Sequence, residues 1–362
     1  MLTAEYTEIH WHEDRLEADR FYLSGDIGGT NTNLAIVGER QGQLMILLET
    51  VTPSKKIDGL MSPLQHLIAL AQERNPRLSL ELICLSGAGP VADNFCDVSN
   101  LSWDIDGAAI EQALGIRTLV INDFLAISYG VPLLDTHNPE HITPLPHTDS
   151  RCPEPTGMVS LVIGAGTGLG VSFIVHGPDG TYHAYPSEGG HASFADFDAE
   201  TAELTLYLSR HSDFAAEIES FVSGIGIVNI FHYFRDVRRV GMDRVLKEVM
   251  QAPLEKQASL ISKHAHNHPV CRDIMRLFVK IYGRISADFA TILLPMRGIY
   301  LAGGIVAKNE DFFLEGKQFM YYFEQNFRPN VQEMLKNIPA YIIRNYSISL
   351  LGAANAGRML TR

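Results

Sequence analysis

The sequence predicts an α/β protein of two domains, and three observations carry that reading. Segments rich in β-branched residues alternate with segments of helical periodicity along the chain. Its 362 residues are too many for one ordinary core and too few for three. A strand, glycine turn, strand pattern, FYLSGDIGGTNTNLAIVGER, also returns later in the chain as MVSLVIGAGTGLGVSFIVHG, as expected of two similar halves with a cleft between them.

Taken in order, strands are expected at residues 21–25, 33–38, 43–51, 81–86, 117–121, 157–163, 170–176, 298–301 and 340–343. Helices are expected at about 58–74, 106–114, 124–130, 198–211, 224–235, 242–250, 270–292, 312–324, 328–336 and 349–360. The stretch 132–157, rich in Pro, His, Thr and Asp, reads as a long surface connection near a domain border.

Composition narrows the function. With 46% hydrophobic and 20% charged residues the chain can fill a sizeable core, outside the disordered class. Lys and Arg number 29 against 42 Asp and Glu, a net charge of −13, and no basic run occurs, which argues against a nucleic-acid partner. A nucleotide would then have to be gripped by local backbone donors and a metal ion. The four cysteines are far apart and form no C-x-x-C pair, which fits neither a zinc nor a redox motif and suits a reducing compartment. Residues 1–20 lack the apolar core of a signal peptide, and no apolar run reaches membrane-spanning length, so a cytoplasmic protein with no membrane partner is expected.

Two glycine turns are the first candidate site. In Asp26-Ile27-Gly28-Gly29-Thr30-Asn31 and Gly164-Ala165-Gly166-Thr167-Gly168-Leu169-Gly170, glycines let backbone N–H groups approach an anion, and Asp26 could hold a hydrated Mg²⁺. An ordinary hairpin turn explains either one alone equally well. No Lys follows the glycines and strand residues come next, so neither a P-loop nor a dinucleotide fingerprint is present. A third site, Gly303-Gly304 after the strand Ile299-Tyr300-Leu301-Ala302, would let an adenine or ribose press on bare backbone, or is a plain strand-to-helix turn.

Asn122 and Asp123 stand where a buried strand ends, the place where α/β sheets gather ligands. Asp123 is the candidate general base for a hydroxyl nucleophile; a helix cap ahead of Phe124 is the bland reading, and one pair can serve both. In Pro186-Ser187-Glu188-Gly189-Gly190-His191, a carboxylate and an imidazole flank two glycines, a set suited to vicinal hydroxyls and poorly suited to zinc without a nearby Cys. Glu219 lies just before Gly224 and Gly226, a further close approach of backbone; alone it would pass for a surface charge.

Together these segments resemble the bacterial-type glucokinases of the hexokinase, actin and heat-shock-chaperone superfamily. The motifs GDIGGTN, GPV, NLSWDI, INDFLA, GAGTGLG, PSEGGH, SGIGIVN, YLAGGIV and SLLGAA occur in the family's order. The resemblance implies a two-domain actin-like ATPase (ribonuclease H-like) fold, with residues 1–133 and 345–362 in a small α/β domain and 134–344 in a large one. It implies transfer of the ATP γ-phosphoryl to the 6-hydroxyl of glucose, Asp123 acting as base, in a cleft that closes on substrate. Asn100, Asn122, Glu188, His191 and Glu219 fall on sugar-binding positions. Asp26, Gly28, Gly29, Thr30, Asn31, Gly166, Thr167, Gly168, Gly303 and Gly304 fall around Mg-ATP, and a homodimer is implied. Other hexose kinases and a non-catalytic actin-like switch are the alternatives. Asn33, where many relatives carry Arg, and the extension over residues 1–20 depart from the pattern.

Overall fold

The structure is a computed structural model and describes residues 6–98, 101–211, 216–345 and 347–361. In chain order its elements begin β1 (Glu8–Trp11), β2 (Arg20–Ile27), β3 (Asn31–Arg40), β4 (Gln43–Pro53), α1 (Met61–Arg74), β5 (Leu80–Gly87), β6 (Val91–Ala92), β7 (Phe95–Cys96) and β8 (Ile105–Asp106). Next are α2 (Gly107–Leu114), β9 (Thr118–Asn122), α3 (Asp123–Gly130), β10 (Ile142–Pro144), β11 (Val159–Ala165), β12 (Leu169–His176), β13 (Tyr182–Ser187), α4 (Ala199–Ser209) and α5 (Gly224–Asp236). The chain continues with α6 (Arg244–Gln251), α7 (Leu254–His264), α8 (Pro269–Leu293), β14 (Gly298–Ala302), α9 (Gly304–Lys308), α10 (Glu310–Leu314), α11 (Gln318–Glu324), α12 (Pro329–Leu335), β15 (Ala340–Ile343) and α13 (Ile348–Leu360).

Two compact units result: Met1–Leu134 together with Asn345–Arg362, and Asp135–Arg344. The first is built on a six-stranded sheet in the order β1-β4-β3-β2-β5-β9, the second on one in the order β10-β15-β14-β11-β12-β13. Five strands of each sheet follow one plan. Three sequential antiparallel strands (β2, β3, β4; β11, β12, β13) are extended from the first of them by two parallel strands (β5 then β9; β14 then β15). The repeated hairpin in the sequence is therefore the visible part of a repeated sheet topology.

In the first unit Leu23, Ile27, Leu34, Ile36, Ile83 and Leu85 from the sheet bury against Leu64 and Leu67 of α1, because alternate strand residues share a face and i, i+3 residues share a helix side. In the second, α8 is the central helix. Pro269 opens it, the ring of His268 caps it at the Cys271 N–H, and it ends at Leu294 in a left-handed conformation. Tyr282, midway along α8, packs edge-on against Phe278, Phe313 and Phe319 and satisfies its buried hydroxyl by donating to the Ile163 carbonyl at 3.0 Å.

The structure departs from the sequence expectations in several places, among them the strand β13 and the helix α7, neither of which was expected. Within the extension, β1 adds an edge strand beside β4, and Trp11 stacks under the Arg74 guanidinium, 3.5 Å from the ring centroid. The helix expected at 312–324 is broken, because Gly316 and Lys317 both take positive φ, 58° and 55°, between α10 and α11. The stretch 132–157 is anchored rather than a plain connection, since β10 pairs with β15 and His147 is fully buried. Its Nδ1 lies 2.9 Å from a Glu324 oxygen and its Nε2 lies 2.9 Å from the Ile338 carbonyl, while Glu324 also accepts the Thr148 N–H. Removing one partner of a buried pair strands the other, so Glu324→Ala is expected to cost about 3 kcal/mol, read as a lowered midpoint in urea unfolding.

Candidate active site

The first unit brings Asp26, the first glycine turn and Asp123 together at the carboxyl ends of parallel strands. β5 lies between β2 and β9, so Asp26 near the end of β2 and Asp123 just past β9 flank one strand. The turn itself is cinched by Ser54. The Gly28 N–H donates to the Asn31 carbonyl at 3.0 Å, the Ser54 N–H donates to the Thr30 carbonyl at 2.9 Å, and the Ser54 hydroxyl donates to the Gly28 carbonyl at 2.6 Å. Ser54 is fully buried and carries no motif, so the sequence offered no sign of its role.

Asp26 pairs in register with Asn33 of β3, and its Oδ2 accepts the Ser349 hydroxyl of α13 at 2.6 Å. Burial drives its carboxyl pKa up, and the Ser349 bond opposes that shift. No Lys or Arg pairs with Asp26 among the described residues. No cluster of three metal-ligating side chains occurs among them either. A half-buried carboxylate with no cationic partner among the described residues suits Mg²⁺, which keeps most of its waters and takes its other ligands from phosphate oxygens.

Asn122 does cap a helix. Its Oδ1 accepts the N–H groups of Phe124 and Leu125 at 2.9 and 3.3 Å, while its Nδ2 donates to the Gly89 carbonyl at 3.2 Å. This fixes the start of α3 and so the position of Asp123, whose Oδ1 accepts the Phe124 N–H at 2.8 Å. Burial, then the charge of Asp26, pushes the Asp123 carboxyl up to about 6. Asn100 lies outside the described residues.

The second unit gathers the second glycine turn, Gly303, Glu219 and the Glu188–His191 loop. The Gly166 N–H donates to the Gly168 carbonyl at 2.9 Å, and the Gly224 N–H at the start of α5 donates to the Gly166 carbonyl at 2.8 Å. Glu219 is not a free surface charge, for its Oε2 accepts the Leu169 N–H at 2.6 Å. A Cβ on residue 168 would sit 2.5 Å from that oxygen, so a side chain there would push the Glu219 carboxylate off the Leu169 N–H. Gly303 has φ +95°, and a Cβ there would lie 2.4 Å from the Ala165 carbonyl oxygen; Gly304 opens α9. Gly303 is thus packed backbone-to-backbone on Ala165 of the second turn, while a Cβ on residue 304 would meet nothing within 4 Å.

Beyond β13, Gly189–His191 forms a single 3₁₀ turn with Glu188 exposed at its start. His191 Nε2 is 3.9 Å from Glu188, and its Nδ1 is 2.8 Å from Glu217, a residue without a sequence motif. The bond to Glu217, with the charges of Glu219, Glu217 and Glu188, raises the His191 pKa against a smaller opposing effect of burial.

Two carboxylates beside one glycine turn, and a second glycine turn tied to an acid-and-imidazole set, are the parts a sugar-phosphorylating enzyme requires. The family model for glucokinase matches residues 23–359. The chain belongs to the glucokinase family. A glucokinase of Nostoc punctiforme is 32% identical over 350 residues, covering 92% of this chain and 97% of the relative. The crystal structure of a glucokinase from an Antarctic psychrotroph superposes with a TM-score of 0.78 at 24% identity, covering 93% of this chain and 98% of that one. A ROK-family glucokinase from Streptomyces griseus, in complex with glucose and AMPPNP, gives 0.60 at 20% identity, covering 93% and 99%. The expected family and the actin-like ATPase fold are both borne out, and the chain is an ATP-dependent sugar kinase.

Because Ser349 offsets the burial of Asp26, Ser349→Ala is expected to raise the Asp26 pKa further. A ¹³C carboxyl titration of the two proteins reads the shift directly.

Proposed function

We propose that the protein transfers the γ-phosphoryl group of Mg-ATP to the 6-hydroxyl of glucose, with Asp123 as general base. The observation that carries this reading is the raised Asp123 carboxyl, about 6, at a sheet end beside the first glycine turn. A base that titrates near neutral pH is ionised in the working enzyme and still basic enough to take a proton. Since the Phe124 N–H occupies Oδ1, Oδ2 is the oxygen that receives the hydroxyl proton as the bond to phosphorus forms. The helix cap supplied by Asn122 fixes the start of α3, and its amide also favours the ionised form of Asp123.

The reading assigns Asn100, Asn122, Glu188, His191 and Glu219 to the sugar. Glu188 and Glu219 accept from its hydroxyls, and His191 is the one group among Glu188, His191 and Glu219 that can donate. Gly28, Gly29, Thr30, Asn31, Gly166, Thr167 and Gly168 cradle phosphate with backbone N–H groups, and Gly303 and Gly304 take the adenosine. Asp26 holds Mg²⁺ through water. When bound, the ion supplies neutralising charge on the phosphates, which backbone dipoles alone would meet only in part. The presence of glucose and AMPPNP in the Streptomyces griseus structure supports both ligands. Four free cysteines and no membrane-length apolar helix among the described residues support a cytoplasmic setting, and the homodimer is carried over from the family resemblance.

Coupled ADP release over a panel of hexoses tests the reading. Glucose is expected to stimulate most strongly, and Asp123→Asn is expected to lower kcat about 10²–10⁴-fold. A variant that phosphorylates glucose at the wild-type rate sinks the base assignment.

The pH profile gives a second check. A base with a raised pKa is lost as pH falls through that value, so kcat/KM, which reports the free enzyme, is expected to be flat above about 6 and to fall roughly tenfold per pH unit below it.

A further inference from the structure

The first glycine turn hangs from one buried residue. Ser54 stands just after β4, has no exposed surface, and is held from behind by Trp103, whose indole N–H donates to the Ser54 carbonyl at 3.4 Å. Toward the turn it offers two donors. Its hydroxyl gives its hydrogen to the Gly28 carbonyl at 2.6 Å, and its N–H donates to the Thr30 carbonyl at 2.9 Å. A hydroxyl has a single hydrogen, so the 3.0 Å contact between the Ser54 and Thr32 hydroxyls is a bond that Thr32 donates. Thr32 is buried as well, and the donated hydrogens run from Thr32 to Ser54 to Gly28.

A trans peptide unit is flat, and its C=O and N–H point opposite ways. Anchoring the Gly28 carbonyl on the Ser54 hydroxyl therefore aims the Gly29 N–H, the other half of that unit, away from Ser54. Anchoring the Thr30 carbonyl on the Ser54 N–H does the same for the Asn31 N–H. The turn thus has one side on which carbonyl oxygens are collected and covered, and an opposite side toward which N–H groups point. The Gly29 N–H meets no acceptor among the described residues. With glycine on both sides of the bond, the Gly28–Gly29 unit is the part of the turn freest to swing over once the hydroxyl is gone. Swung over, it would present an oxygen where an anion needs an N–H.

We propose that Ser54 is a positioning residue for the nucleotide: by holding the Gly28 carbonyl, its hydroxyl keeps the Gly29 N–H directed at the ATP phosphates. This rests on the reading of the first turn as a phosphate cradle. Ser54 is buried behind the turn and acts only through it, so its loss falls on nucleotide binding and spares the sugar. Thr32 supplies the contrast. Its hydroxyl is buried in the same cluster and bonded to the same oxygen, yet it holds no carbonyl of the turn.

The test uses the full chain, calorimetry with AMPPNP and Mg²⁺ as the probe, and three variants. Ser54→Ala removes the hydroxyl, Ser54→Cys keeps a weaker donor, and Thr32→Val removes the neighbouring hydroxyl while leaving the bond from Ser54 to Gly28. Affinity for AMPPNP is expected to fall about tenfold in Ser54→Ala, the scale of one hydrogen bond to a charged group, by less in Ser54→Cys, and by no more than about twofold in Thr32→Val. In kinetics the same order is expected in the KM for ATP, with the KM for glucose at saturating ATP unchanged. Urea unfolding separates positioning from packing. Ser54→Ala and Thr32→Val each remove a buried hydrogen bond and are both expected to lower the midpoint, but only the first loosens the nucleotide. Wild-type AMPPNP affinity in both Ser54 variants overturns the proposal. So does an equal loss in Thr32→Val, or a glucose KM that rises along with the KM for ATP, as general loosening would give. Should Ser54→Ala fail to fold, Ser54→Cys against Thr32→Val decides. A wild type that binds no AMPPNP removes the cradle reading and the proposal with it, whereas tight binding that ignores the Ser54 variants removes only the role of Ser54.

Discussion

The arrangement of the first unit depends on keeping two carboxylates close together where water is scarce. Desolvation disfavours the charged form of each, and the charge of Asp26 makes Asp123 harder to ionise. A sheet end is a rare place where this is tolerable, because helix N-termini and turn amides supply partial positive charge. Asn122 turns that general fact into a particular one. By capping α3 it orients the Phe124 N–H onto Asp123, and Ser349 on α13 does the corresponding service for Asp26. The cost of burying the pair is what leaves Asp123 poised to exchange a proton near neutral pH, so the strain and the chemistry have one source.

The second unit solves a different problem with the same sheet plan. Its glycine turn has no acid of its own, and is instead fastened from outside by Glu219 and by the start of α5. A side chain at 303 would collide with the Ala165 carbonyl, and one at 168 would displace the Glu219 carboxylate. The turn that is read as a phosphate cradle and the acid that is read as a sugar ligand are therefore mechanically one piece. A displacement of Glu219 would be felt at the Leu169 amide.

Much of this was legible in the sequence, and the parts that were not share a cause. The β2–β3 and β11–β12 hairpins announced themselves because alternating apolar residues flank a glycine cluster, a pattern that depends on neighbours in sequence. Asn122 and Asp123 were visible as a polar pair ending an apolar strand, and both roles open to that pair, helix cap and catalytic base, remain compatible with its geometry. Ser54 and Glu217 were invisible, because each acts on a residue distant in the chain and neither sits in a recognisable local pattern; Ser349 opens the SLLGAA motif, but its partner Asp26 lies more than three hundred residues away in the chain. The helix expected at 312–324 failed for a related reason. Apolar periodicity runs straight through Gly316 and Lys317, and only the backbone conformation shows that the chain turns there.

The distribution of invisible residues is informative in itself. Glycine turns, strand-end acids and the PSEGGH loop are constrained by the ligand chemistry they are suited to, so they form compact motifs. The residues behind them need only deliver one donor or one acceptor to one atom, and many positions and residue types could do so. Glu217 illustrates the point: a short ladder between residues 192–194 and 216–218 sets where its backbone lies, but nothing in backbone geometry demands an acid there. What demands it is the imidazole opposite. A neutral side chain would preserve the fold and change the proton inventory of His191, so residues of this kind can tune a site without altering its outline.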